Sequence, residues 1–112
     1  MLATGACRPP PGQDAAVPLA DPERGQLAIE RVGCGACHTI EGIRWPQGKG
    51  GPALAGFQRR GLIAGRLPNR PDVLAAFVRN APLLVPDSAM PAMPLSETEA
   101  RDVAAYLYEI GR

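Results

Sequence analysis

Cys34-Gly35-Ala36-Cys37-His38 is the stretch from which the rest of the chain can be read. Two cysteines three positions apart, with a histidine directly after them, form the c-type haem attachment pattern. The spacing has a mechanical basis. Two thiols add across the two vinyl groups of one porphyrin, and a short looped backbone lets both reach. His38 then falls beneath the ring, where a ring nitrogen can take one axial position on the iron. A CxxC alone could also be a redox dithiol or half of a zinc site. The first would sit in a βαβ context, which the surrounding pattern lacks. The second needs two further ligands, yet Cys7 is the only other cysteine and there is no second histidine.

The segment leading into the pentapeptide reads as a helix. Asp21 is a good N-cap and Pro22 suits the first turn. Over Pro22 to Val32 the expected buried stripe is Leu27, Ala28 and Val32, with Ile29 beside them. Gly25 inside a helix is unfavourable unless another backbone comes close, so it marks a helix crossing. Gly33 ends the helix. Residues 1–20, with Pro9-Pro10-Pro11-Gly12, read as a flexible leader before a domain over 21–112. Leu2 to Cys7 looks like the tail of a lipoprotein signal, which would make Cys7 a lipid anchor.

Downstream, residues 39–70 are glycine-rich and weakly periodic. In Gly50-Gly51-Pro52-Ala53-Leu54-Ala55-Gly56 a rigid turn could set the Pro52 carbonyl against the free N–H of His38, fixing the ring; a plain surface turn is the other reading. Arg44, Arg59 and Arg60 are candidates for pairing with haem propionates, or are simply solvated. Trp45 either shields the haem edge or packs under its loop. Asn69-Arg70-Pro71-Asp72 opens a second helix carrying Leu74, Phe77 and Val78 to about Asn80, and Pro82 stops it. Val85 to Leu95 contains three prolines and must be an extended loop. With His38 the only histidine, the second axial position is methionine, water or empty; Met90 and Met93 both qualify, and Met90 is preferred. Ser96-Glu97-Thr98-Glu99 is a capping box. The last helix runs to about Ile110, with Ala100, Val103, Ala104, Leu107 and Ile110 on one face and Tyr106 and Tyr108 flanking it. Gly111 ends it and Arg112 complements its dipole.

The bulk numbers agree with this picture. At 112 residues the chain is one domain, 46% hydrophobic and only 4% aromatic. So short a chain buries a modest share of its surface, and a central haem would add apolar contact. A formal charge of +1 argues against nucleic acid. Two ionised propionates would bring it to about −1. No run of like charge stands out, so one dense charged docking patch is not expected. There is no run of about 18 apolar residues, hence no membrane-spanning segment, and no secretory signal with an apolar core. Haem c is attached outside the cytoplasm, so a truncated or misplaced start is expected.

The motifs CGACH at 34–38, GPALAG at 51–56, Met90-Pro91 and EARDVAAYLYEI at 99–110, in this order, resemble the class I cytochromes c. The segment LIAGRLPN at 62–69 is similar to monohaem cytochromes of bacterial respiratory chains. The resemblance implies an all-α cytochrome c fold, three main helices plus short helical turns around one covalent haem c. It implies that the first and last helices cross at Gly25. Thioethers at Cys34 and Cys37, axial ligands His38 and Met90, and Pro52 accepting the histidine N–H follow from it too. Met93 is a competing ligand. Lys49 is the only lysine, unlike cytochromes that dock through a lysine-ringed haem edge.

The function so implied is an electron carrier and not an enzyme, since iron closed on both faces has no place for a substrate. Expected partners are redox proteins such as a membrane oxidase, reductase or dehydrogenase. The expected location is the periplasm or the outer face of the bacterial cytoplasmic membrane, and the expected state a monomer. Two alternatives stand beside this. One is a haem sensor or peroxidase-like domain with an open sixth position, for which no distal histidine exists. The other is an electron-entry subunit of a larger oxidase or dehydrogenase complex.

Overall fold

A computed structural model of the chain describes residues 19–110. Residues 1–18 of the leader, Cys7 among them, and Gly111 and Arg112 lie outside the described residues. Helix α1, Pro22–Val32, starts where Asp21 Oδ1 accepts the backbone N–H of Glu23 at 2.9 Å and of Arg24 at 3.4 Å. It ends at Gly33, whose φ of 83° lets its N–H reach back to Ile29 O. A 3-10 turn, Cys34–Ala36, follows directly. Another, Phe57–Arg59, closes the glycine-rich segment. Helices α2, Pro71–Arg79, and α4, Glu97–Glu109, complete the main frame. The capping box of α4 is formed in full: Ser96 Oγ accepts Glu99 N–H at 3.1 Å and Glu99 Oε1 accepts Ser96 N–H at 2.9 Å.

Helix α4 is buried nearly all round because α1 packs on one side and α2 with the Phe57–Arg59 turn on the other. Its crossing with α1 is at Gly25, where a Cβ would fall on the Asp102 carbonyl. Only glycine permits that approach. Buried Asp102 adds a polar tie there, its carboxylate accepting from Asp21 N at 2.9 Å and Arg24 Nε at 3.2 Å. The core of α1 is Gly25, Ala28 and Ile29, with Val32 half-buried, and Leu27 is 66% exposed. The expected stripe is corrected on that point. Two residues on from Gly25, about 200° round the helix, Leu27 lies nearly opposite the crossing.

Three further features depart from the sequence reading. A two-stranded antiparallel hairpin pairs β1, Leu62–Ile63, with β2, Leu67–Pro68, in the register Leu62↔Pro68 and Ile63↔Leu67. Pro82 does stop α2, yet it also starts a short helix α3, Ala81–Leu84, being free of the need for an N–H in a first turn. Tyr106 and Tyr108 are core residues. Tyr108 OH donates to Asn69 Oδ1 at 2.7 Å, and Asn69 Nδ2 donates to Phe57 O at 3.1 Å and Arg60 O at 2.9 Å. Tyr106 OH donates to Glu41 O at 2.6 Å. Burial raises both phenol pKa values. Among the described residues no helix is long and apolar enough to cross a membrane.

Candidate functional site

The pentapeptide folds as a tight loop. His38 N–H and Cys37 N–H both bond to Cys34 O, at 3.1 and 3.3 Å, which brings the two thiols and the imidazole onto one compact turn. Both cysteines are free; Cys34 is half-buried against the core and Cys37 is exposed. Desolvation by burial pushes the Cys34 thiol above its ordinary range, with the neighbouring Cys37 adding a little and a backbone hydrogen bond opposing.

The imidazole is held from two sides. His38 Nδ1 lies 2.7 Å from Pro52 O, so that nitrogen carries the proton and donates. In the neutral imidazole this tautomer leaves the lone pair of the other nitrogen, Nε2, available to a metal. Gly51 lies against the ring, and a Cβ there would fall on Cε1. The backbone at Gly51 is fixed in turn, its N–H bonding to Cys37 O at 2.6 Å. The glycine and the proline of the Gly51-Pro52 pair thus have separate tasks, one making room for the ring and the other orienting it.

Both methionines of the proline-rich loop are half-buried and pack against the core. Met90 is pinned by Ser88, whose Oγ accepts from Met90 N at 3.0 Å and donates to Met90 O at 3.2 Å. Met93 N–H donates to Arg79 O at 3.1 Å, and Arg79 Nε donates to Leu95 O at 3.0 Å. The loop is therefore clamped to the end of α2. The roles of Ser88 and Arg79 escaped the sequence reading; a serine two residues before Met90 is the available signal, since Ser side chains often close such turns.

Arg60 donates to Ala53 O at 2.6 Å with its guanidinium 5.4 Å above the Phe57 ring. Arg44 is exposed and lines a groove of about 530 Å³ with Thr39, Gln47, Ala53 and Ala55. Trp45 is 84% exposed, so it does not pack under its loop. The donor set of two thiols, one oriented imidazole with a free Nε2, and thioethers in a clamped loop fits a haem. Among the described residues no cluster of His, Cys, Asp or Glu offers a conventional metal site instead.

A family model described as cytochrome c oxidase, cbb3-type, subunit III matches residues 20–107. The chain belongs to that family. This cytochrome c domain is also 34% identical over 85 residues to cytochrome c oxidase subunit 2 of Alkalihalophilus pseudofirmus. The match takes in 75% of the chain and 24% of that relative, so the domain spans about a quarter of its length. A crystal structure of a cytochrome c2 mutant superposes with a TM-score of 0.54 at 20% identity, covering 83% of this chain and 100% of that one. At that identity the likeness carries the fold alone. The class I cytochrome c resemblance and the all-α fold expected from the sequence are met. Membership implies haem-based electron transfer in a family related to oxidase subunits.

Proposed function

We propose that the domain carries one electron at a time on a single haem c, joined by thioethers to Cys34 and Cys37 and ligated axially by His38 Nε2 and Met90 Sδ. The observation that supports this reading is the 2.7 Å contact of His38 Nδ1 with Pro52 O, which leaves the lone pair of the other ring nitrogen available for ligation. When bound, the haem supplies an Fe(III)/Fe(II) couple, and a thioether ligand raises its potential. The chain's part is to keep both axial side chains in place in either state. Pro52 and Gly51 do so for His38, and Ser88 with the Arg79 clamp does so for the methionine loop. Arg60, anchored beside Ala53, and Arg44 are proposed to meet the propionates. Met93, which like Met90 packs half-buried against the core, is the alternative ligand.

The domain acts as a carrier and not as an enzyme, with a membrane oxidase or other respiratory complex as partner. Relatedness to oxidase subunits favours an electron-entry role close to such a complex. The location is the periplasm or the outer face of the cytoplasmic membrane, and Cys7 is the proposed anchor. The test is maturation in a periplasm equipped for haem c attachment, followed by mass spectrometry and potentiometric titration. One haem added in mass and a reversible one-electron couple are expected. A mass without haem refutes the reading.

A further inference from the structure

Taking Met90 as the sixth ligand, as proposed above, we infer that Arg66 is a positioning residue for it. The hairpin of β1 and β2 is a strap that holds the methionine loop closed through the Arg66–Asp87 ion pair.

Arg66 Nη1 donates to Asp87 Oδ1 at 2.7 Å and Nη2 to Oδ2 at 2.9 Å, the two-pronged geometry open to a guanidinium and a carboxylate. Exposed ion pairs generally contribute little, and bidentate ones are the exception. Asp87 is also the one charged residue from Val85 to Leu95, so an ion pair can hold the loop nowhere else. The tie is passed on to Met90. Ser88 N–H donates to Val85 O at 2.9 Å, closing a turn with Pro86 and Asp87 at its tip. Val85 is buried at one end of that turn, and Ser88 at the other bonds both backbone groups of Met90. Fixing Asp87 therefore fixes the residue that orients Met90. On the far side of the loop Arg79 holds Met93 and Leu95. Arg66 is the corresponding anchor on the half that carries Met90.

The hairpin holds Arg66 firmly enough to serve as that anchor. Ile63 lies in the core, Arg66 N–H donates to Ile63 O at 3.0 Å, and Asn69 N–H closes the base on Gly61 O at 3.1 Å. Buried Asn69 is bonded in turn to Phe57 O, Arg60 O and Tyr108. The strap is thus fastened to the same core that α4 organises. Its tip keeps Ala64 at φ 53°, a left-handed conformation unfavourable for alanine. Leu62 is exposed and Leu67 only half-buried, so beyond Ile63 the hairpin adds little to the core. What its tip does contribute is the bond to Asp87.

The test is the stopped-flow rate at which neutral imidazole displaces methionine from the ferric, haem-loaded protein, the iron–sulfur bond opening and an iron–nitrogen bond replacing it. At saturating imidazole the opening of the loop sets the rate, and an uncharged probe brings no salt dependence of its own. Arg66→Gln and Asp87→Asn should each raise that limiting rate about two- to fivefold at low salt. The double variant should raise it no further than either alone. High salt should bring the wild-type rate up toward the variants and leave theirs unchanged. Arg66→Lys, which keeps the charge without the fork, should fall between the wild type and Arg66→Gln. Arg101→Gln breaks an exposed ion pair with Glu97 on α4 and should leave the rate as in the wild type. Wild-type rates in both single variants, with the near-infrared band of methionine ligation present, overturn the strap alone. Effects that multiply in the double variant, or an equal rise in Arg101→Gln, overturn it in favour of a general loss of stability. A wild type with no such band, or a protein with no haem, refutes the methionine ligation on which the strap rests.

Discussion

Replacing Gly51 by alanine places a methyl group on the His38 imidazole, with Nδ1 of the ring at 2.8 Å and Nε2 at 3.0 Å from the new Cβ. Ordinary contact needs about 3.5–4.0 Å, so something must retreat by about an ångström. The backbone of residue 51 is held by its bond to Cys37 O, so the ring is the part that moves, and it moves away from Pro52 O. Crowding of this kind costs about 1–3 kcal/mol, and the lost hydrogen bond about 1 kcal/mol more. Alanine recovers about 0.4–1 kcal/mol by narrowing the unfolded ensemble. The steric term wins, leaving a net loss of about 1–4 kcal/mol. For a domain of this size that is a fall in Tm of roughly 4–30 °C. Loss of the Pro52 bond also lowers the basicity of the imidazole as a ligand, so the potential should rise. Thermal unfolding of the ferric holoprotein, paired with potentiometry, is the assay. A Gly51→Ala protein with unchanged Tm and potential refutes the idea that this glycine makes room for the ring.

At the helix crossing, Gly25→Ala should destabilise by about 1–3 kcal/mol in guanidinium unfolding even though alanine is the better helix former by about 1 kcal/mol. Equal or higher stability contradicts the close contact with the Asp102 carbonyl. Tyr108→Phe removes the donor to buried Asn69 Oδ1 and should cost about 1–3 kcal/mol, read by the same method, without altering the visible spectrum. Glu99 is held below its ordinary pKa of 4.5, first by the Ser96 N–H of the capping box. Its contribution is therefore complete above that value and is lost as pH falls through the lower folded-state pKa. Glu99→Gln should accordingly show a smaller drop in urea midpoint between neutral pH and acid below about pH 4.5 than the wild type. Ser88→Ala frees both backbone groups of Met90 and should weaken the spectral signature of methionine ligation, measured by its temperature dependence.

What could be read from the sequence was whatever a local rule encodes. Asp21-Pro22, the Ser96 to Glu99 box and Gly33 each fix a helix end by short-range hydrogen bonds, and all three appear where expected. Gly25 was legible because a glycine inside a helix demands a reason. The hairpin was not, because its turn uses Ala64 at φ 53° before Gly65 at φ 70°. Consecutive positive φ values normally call for asparagine or glycine, and alanine gives no such signal. Leu27 was misplaced because composition marks it as apolar while only the crossing point defines the face. Asn69 and Asp102 went unread for a different reason. A polar residue is normally solvated, and their burial depends on partners 39 and 81 residues away, namely Tyr108 and the Asp21 amide. At the site, the CGACH motif and the Pro52 carbonyl were legible from chemistry and resemblance, whereas the Gly51 contact and the Ser88 turn depend on how the loops close.

The most direct measurement is the visible and near-infrared spectrum of the periplasmically matured protein, oxidised and reduced, with and without carbon monoxide, for the wild type, Met90→Ala and Met93→Ala. The account predicts a weak near-infrared charge-transfer band in the oxidised wild type, lost in Met90→Ala and kept in Met93→Ala, and no ready binding of carbon monoxide by the reduced wild type. An open position that takes up carbon monoxide at once in the wild type would contradict the carrier and point to a sensor or enzyme.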